Sequence, residues 1–450
     1  MRMDAIHRAG RRGRLRLAFT LTLSVTWASA AAAQPPSPGT PQLLPRDAAV
    51  HYALQNNPVL QTVRKQRGYG EASVIIAQTY PYNPAFTGYV TSAEGPNNAG
   101  ITNRVYQEYY ITLELELRGQ GGHRKAGAAA TVSRIEYEIC QQELALSIAV
   151  IKAYNAVLYR TRKLEFLDEL LRINTSGVDQ LKTQVDAGKA KATDLTLARI
   201  DLDTLRAQRG QARTALAIAR SDLRKLLGSS DDGFGVFGDL DVPLPSTEAG
   251  ALTQMALEQR PDLKARRAAI GEAEAAMRLV VANRYGNLNL GPYYEYDPTR
   301  ISYLGARIGL PLPVLNTKRG EIYKAETDVA KVRSEVQQLE LQASLDVQAA
   351  LSRLADASTW ASAYATEVVP TAARAKQEFE GLYAKQDAAV TFANILTVQR
   401  AHLKATETWL DARYEVSLAE ADLALAVAEP ALALGPHPAT EMPELIPPPR

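Results

Sequence analysis

Val105-Tyr106-Gln107-Glu108-Tyr109-Tyr110-Ile111-Thr112-Leu113-Glu114-Leu115-Glu116-Leu117 is the segment on which the architecture turns. Its odd positions read Val, Gln, Tyr, Ile, Leu, Leu, Leu, and the even positions from Tyr106 to Glu116 read Tyr, Glu, Tyr, Thr, Glu, Glu. Successive side chains of a strand point to opposite faces, so this strand has one apolar face and one carboxylate-bearing face. Such alternation over about ten residues suits a strand that crosses an outer membrane, with one face in lipid and the other in an aqueous lumen. A soluble sheet with one buried face gives the same pattern and is the alternative.

Working outward, strands are expected at about 83–91 and 104–117, and again at about 287–296 and 301–312, with turn-rich hairpin loops at 92–103 and 297–300. Eleven of the 20 tyrosines fall in or beside these windows. Among them Tyr89, Tyr106, Tyr109, Tyr293, Tyr296 and Tyr303 are expected to form an aromatic girdle at the membrane interface. Four strands cannot close a barrel, since the smallest membrane barrels use about eight. An open edge in lipid leaves backbone groups unsatisfied, so the chain must pool its strands with other copies; three copies supply about twelve.

Each strand pair leads into a long helical segment. Residues 128–176 and 321–369 contain no Gly or Pro, and each run is 49 residues long. In the second run Ala325, Val329, Val332, Val336, Leu339, Ala343, Val347, Ala350, Leu354, Ala357, Ala361, Tyr364 and Val368 recur at steps of three and four, a coiled-coil seam. Helices of this length reach roughly 70 Å, too long for a compact domain. Helical character resumes at 194–227, beyond Gly188, and at 386–428, beyond Pro370, so each half ends in a helical hairpin.

The two halves are related. Ala53-Leu54-Gln55-Asn56-Asn57-Pro58-Val59-Leu60 is echoed 203 residues later by Ala256-Leu257-Glu258-Gln259-Arg260-Pro261-Asp262-Leu263. Leu113-Glu114-Leu115-Glu116-Leu117 and Leu310-Pro311-Leu312-Pro313-Val314 each precede a corner rich in Gly, Asn, Lys or Arg that opens a long helix. The expected fold class is mainly α with a small β part: two internal repeats at 34–227 and 247–429, each of helix, two strands and helical hairpin, joined by a Gly/Asp/Pro-rich linker at 228–246. Residues 430–450 are expected to be a Pro-rich tail.

Residues 1–16 carry six arginines, residues 17–28 are apolar, and small residues follow to Ala33, so 1–33 is expected to be a secretory signal peptide. Its removal leaves 45 basic and 48 acidic side chains, a balance that excludes nucleic-acid binding as the main activity. The single cysteine, Cys140, cannot pair within the chain, and the five histidines are scattered, so neither a disulfide nor a histidine-led metal site is expected. No phosphate-binding loop or nucleophile elbow is present, and no cofactor or enzymatic activity is expected.

The signal peptide, the duplication and the order helix, strand, strand, helical hairpin resemble the TolC-like outer-membrane efflux proteins over essentially the whole mature chain. Leu310-Pro311-Leu312-Pro313-Val314-Leu315-Asn316 with Arg319-Gly320 is similar to the family's strand-to-helix corner. Leu115-Glu116-Leu117-Arg118-Gly119-Gln120-Gly121-Gly122-His123-Arg124 also resembles the heavy-metal efflux branch. The resemblance implies a homotrimer whose twelve strands form one barrel in outer-membrane lipid, continued by a periplasmic helical tunnel that meets a periplasmic adaptor and an inner-membrane pump. It also implies that the hairpin tips close the tunnel. There Gly188 and Asp194 match the family's Gly-and-Asp motif, while Asn394 and Thr397 stand in the second half where the family often has acids. Asp194, Asn394 and Thr397 are the candidate constriction, and Asp186, Gly188, Lys189, Lys385 and Asp387 the candidate adaptor contacts. For Asp194 a first-turn position favoured by the helix dipole is an equal reading, and charged tip residues such as Asp186, Lys189, Lys385 and Asp387 are more often simply solvated.

The expected function is the passive outer-membrane exit duct of a tripartite efflux pump. Its rival is a soluble periplasmic coiled-coil adaptor or structural protein, with the same hairpins and a sheet buried in a water-soluble domain.

Overall fold

The computed structural model describes residues 42–92, 94–96, 105–188, 191–230, 234–240, 248–384 and 392–434. The leader expected at 1–33, the tail from 435 onward, residues 231–233 and 241–246 of the segment expected as a linker, and Lys189, Lys385 and Asp387 lie outside the described residues. The chain is mainly helical with a small β part.

It starts with β1 (Gln42–Leu44), α1 (Arg46–Asn56), α2 (Pro58–Arg64) and α3 (Arg67–Gln78). The residue before a proline is steered away from helical geometry, and Asn57 is accordingly extended at φ −64°, ψ 119°, which ends α1. Its side chain then accepts the Leu60 N–H at 3.0 Å and caps α2, with Pro58 at the first helical position. The strands β2 (Ala85–Ser92) and β3 (Val105–Leu115) follow, then α4 (Gln120–Asp186) and α5 (Ala192–Leu227). At 67 residues α4 is about 100 Å long.

A second series follows: β4 (Phe234–Val236), α6 (Ala249–Gln259), α7 (Pro261–Ala282), β5 (Leu288–Tyr296), β6 (Ser302–Gly309), α8 (Arg319–Ala363), a π-helical turn at Tyr364–Val368, α9 (Val369–Ala384), α10 (Phe392–Val427) and α11 (Ala431–Leu434). Both long helices leave their strands through a left-handed residue, Gly119 at φ +72° before α4 and Lys318 at φ +53° before α8.

Three expectations need correction. The strands are shorter than the sequence pattern: β3 stops at Leu115, opposite Leu288, the first residue of its partner strand, and β6 stops at Gly309, ahead of Pro311 and Pro313, which have no N–H to donate to a ladder. Part of the segment expected as a linker is β4, which pairs in parallel with β1 from Gln42↔Phe234 to Leu44↔Val236. The α8 seam is buried at Val329, Val336, Ala343, Val347, Ala350, Leu354 and Ala357, but it does not continue as expected through Ala361, Tyr364 and Val368, the last 39% exposed. The π turn carries an extra residue, which rotates the following helix by about 100° and takes the apolar stripe off the seam.

The main core lies where α1, α4, α5 and α10 meet, around Ala53, Ile148, Ile151, Tyr154, Leu223 and Ala421. Tyr154 is fully buried, and its hydroxyl lies 2.7 Å from the Leu44 carbonyl and 2.8 Å from the Phe237 carbonyl while accepting the Phe237 N–H at 3.0 Å. One phenol thus ties the ends of the two short strands to the middle of the longest helix. Tyr154→Phe leaves these backbone groups short of a partner and is expected to cost about 1–3 kcal/mol, seen as a lowered thermal midpoint in detergent.

Candidate functional site

The four-stranded sheet runs β2-β3-β5-β6, antiparallel throughout, so β2 and β6 are its outer edges. The pairing Gly88↔Tyr109, Tyr109↔Tyr294 and Tyr294↔Leu304 puts one set of side chains on a common face. That face carries Phe86, Val90, Ile111, Leu290, Leu304 and Ile308; Phe86 and Ile308 are each 70% exposed and Leu304 85%. Phe86, Tyr109 and Tyr294 stack in series across it, at 6.1 Å and 6.4 Å between ring centres. Among the described residues none covers it, an exposure that water disfavours and lipid would relieve.

The opposite face is polar. A single cross-strand row reads Tyr89↔Glu108↔Glu295↔Tyr303, with two carboxylates directly opposite each other. Tyr106 donates to Glu108 at 3.3 Å, and Tyr293 donates to Glu295. Arg307 lies with its guanidinium carbon 4.5 Å from the centre of the Tyr110 ring. Like charges placed opposite each other on a sheet destabilise it, so this row is costly to the fold alone. Gly291 is required on this face, because a Cβ there would overlap the Ile111 carbonyl oxygen of the neighbouring strand.

The six tyrosines expected as one girdle therefore do not share a face. Tyr109 and Tyr296 lie on the apolar side, whereas Tyr89, Tyr106, Tyr293 and Tyr303 lie on the side of Glu108 and Glu295. Clustering along the sequence was visible, but the face of each residue follows from a register that sequence alone left open.

Where the sheet meets the helices, Asn287 donates to Glu114 at 2.8 Å and to Tyr82 at 3.1 Å, and accepts from Gln120 at 2.9 Å. Arg118 donates to the Tyr285 and Gly286 carbonyls and stacks on the Tyr285 ring, 4.8 Å from its centre. These contacts lock the first strand-to-helix corner onto the second strand pair, so the sheet is held rigidly on the helices.

At the far end of the first hairpin, α4 finishes at Asp186 and Gly188 turns the chain at φ +72°, a conformation open to glycine at little cost. Asp194 is exposed on the first turn of α5, while its neighbour Leu195 packs with Leu181 and Ala198 in the seam. Asn394 and Thr397 are exposed on the first turns of α10, beside buried Ile395. The candidate constriction residues thus sit on two separate hairpins.

Beyond the shared core, the hairpins are also joined nearer their tips by a residue that the sequence pattern did not single out. Arg400 of α10 donates to Asp201 of α5 at 2.9 Å and, through Nε and Nη2, to Oδ1 of Asn174 of α4 at 3.3 Å. Asn174 is only 4% exposed and donates to the Leu170 carbonyl at 2.9 Å. An amide inside an apolar seam was the available signal, since buried Asn in a coiled coil specifies partner and register.

Among the described residues no group of His, Cys, Asp and Glu could hold a metal ion, and no helix is long and apolar enough to cross a membrane. Cys140 is half-buried on α4, where burial pushes its thiol above the ordinary range and Glu143 and Glu136 add to the shift.

Residues 49–229 match the family described as "Outer membrane efflux protein". Over 293 residues the chain is 25% identical to the cobalt-zinc-cadmium resistance protein CzcC of Cupriavidus metallidurans, covering 64% of this chain and 68% of that protein. Among solved structures, the chain superposes on CusC with a TM-score of 0.71 at 19% identity, over 87% of this chain and 97% of that one. It superposes on the MtrE outer membrane channel of Neisseria gonorrhoeae with a TM-score of 0.68 at 16% identity, over 87% and 89%. The match over residues 49–229 places an efflux-protein-like region in the first half, and the superpositions show that the two-faced sheet set on paired long helices is a fold shared with these solved structures.

Proposed function

We propose that this chain is the outer-membrane exit duct of a tripartite efflux system, a passive channel and not an enzyme, with its helices in the periplasm. The observation that carries this reading is the sheet: an exposed apolar face, a carboxylate-bearing opposite face and two unpaired edges, on a chain whose longest helix is 67 residues. A homotrimer joins β6 of one copy to the β2 edge of the next, closes about twelve strands into one barrel, and leaves no backbone edge in lipid. The repeated element order and the paired left-handed corners at Gly119 and Lys318 support two internal repeats, each supplying one hairpin of strands and one of helices.

In that barrel the row of Glu108 and Glu295 becomes a ring of carboxylates around the lumen, flanked by Tyr89 and Tyr303. Tyr109 and Tyr296, on the lipid side, are the proposed girdle. Asp194, Asn394 and Thr397 are the proposed tip constriction. Asp186 and Gly188, with Lys189, Lys385 and Asp387, are the proposed contacts with a periplasmic adaptor that brings an inner-membrane pump. Rings of acidic side chains favour cations, and the named metals of the CzcC relative are divalent cations; divalent metal ions are therefore the proposed cargo.

The test is conductance. Purified protein is expected to form trimers and to give channels in planar bilayers, selective for cations at low salt. In Glu108→Gln/Glu295→Gln the cation-to-anion permeability ratio falls at 0.1 M salt, where the screening length is about 10 Å, and the difference shrinks at 1 M, where it is about 3 Å. Protein released into solution without detergent as a stable monomer points to the adaptor reading instead. Deletion in the host is expected to sensitise cells to divalent metals more than to dyes or detergents.

A further inference from the structure

We propose that His402 is an acid-sensitive joint in the second hairpin: protonation of its imidazole loosens α9 from α10 and lets α9 swing about the π turn. The joint itself rests on the hairpin geometry; its consequence for transport rests on the duct reading above.

The two hairpins differ in construction. Helix α4 runs unbroken to its tip with Leu167, Asn174 and Leu181 buried along it. In the second hairpin the π turn and Pro370 separate α8 from α9, and a proline removes one backbone donor from the helical ladder. Helix α9 packs on α10 and on that turn, and none of its described side chains is fully buried. A segment held by half-buried contacts opens at low free-energy cost, so one unfavourable charge can release it.

His402 sits at this contact. Its Nδ1 is shielded from solvent and has no hydrogen-bond partner. From α9 the charged groups facing it are Lys376 and Glu380, and α4 brings Glu169 towards Lys376. On α10 itself, Arg400 is held by Asp201 and Lys404 by Glu407. Burial holds the imidazole below the ordinary histidine range, Lys376 pushes it further down, and Glu380 opposes them. A proton that the packed state binds poorly favours the open one. The packing is therefore at full strength above the ordinary histidine pKa of about 6.5, weakens as pH falls below it, and levels off below the packed state's own lower pKa.

Backbone hydrogen exchange of the full chain in detergent, corrected for intrinsic rates, reads this directly. From pH 7.5 to pH 5.5, residues 369–384 of the wild type are expected to lose protection by about three- to tenfold, while residues 128–158 do not change. His402→Gln is expected to keep α9 protected at both pH values, and His402→Arg to expose it already at pH 7.5. An equal acid response in wild type and His402→Gln, or none in the wild type, overturns the joint. Bilayer conductance of the same proteins is expected to rise at pH 5.5 in the wild type only. If exchange behaves as expected and no channels form, the duct reading fails while the joint stands.

Discussion

Leu304→Arg is expected to abolish recovery of assembled protein from the outer membrane, whereas Tyr303→Arg, one residue earlier on the same strand, is expected to leave assembly intact. Leu304 is 85% exposed and lies on the apolar face in register with Tyr294 and Tyr109. An arginine at the lipid-facing midplane of a membrane barrel costs about 2–4 kcal/mol, and a trimer meets that cost three times. The side chain of Tyr303 points the other way and stands opposite Glu295, so a guanidinium there finds a carboxylate in an aqueous lumen. Membrane fractionation and heat-dependent migration on gels separate the two outcomes. Equal behaviour of the two variants, whether both assemble or both fail, removes the assignment of lipid and lumen faces.

Arg400→Ala is expected to give the second large effect, a several-fold rise in mean channel conductance. Towards the tips the guanidinium fork ties α10 to α4 and α5, and its removal strands the buried Asn174 carbonyl oxygen and leaves Asp201 without its cation. Losing a charged hydrogen bond of this kind costs about 1–3 kcal/mol, enough to shift a closed tip towards an open population about five- to a hundredfold. Arg400→Lys is expected to fall between, since an ammonium cannot engage both partners with a planar fork. Asp201→Ala combined with Arg400→Ala is expected to add little to Arg400→Ala alone, as residues in one network do. Unchanged conductance in Arg400→Ala means that this contact does not restrain the opening.

The residues themselves explain how far sequence reading reaches. The strand at Val105 and the long helices were legible because their periods, two and three-to-four, are imposed by backbone geometry and persist over many residues. The ends of β3 and β6 were less so, since Leu117 keeps the alternation going past the start of the partner strand at Leu288, and Leu310 and Leu312 keep it going among prolines that cannot join a ladder. β1 and β4 are three residues each, and their pairing joins positions nearly two hundred residues apart, so no local pattern announces it. The tyrosine cluster gave the place of the sheet, while the face of each ring depended on interstrand register. Arg400, its partners Asp201 and Asn174, and the unpartnered nitrogen of His402 come from tertiary packing alone.

Arg46, at the head of α1, donates to the Ala433 carbonyl of α11 at 3.3 Å and to the Asp239 carbonyl at 2.8 Å. The two acceptors lie 387 and 193 residues further along the sequence. Contacts between such distant positions carry the largest loop-closure entropy, so they form late. A chain cut short before Ala433 is therefore expected to leave the Arg46 guanidinium with one of these two acceptors and to be cleaved more readily by added protease than the full chain.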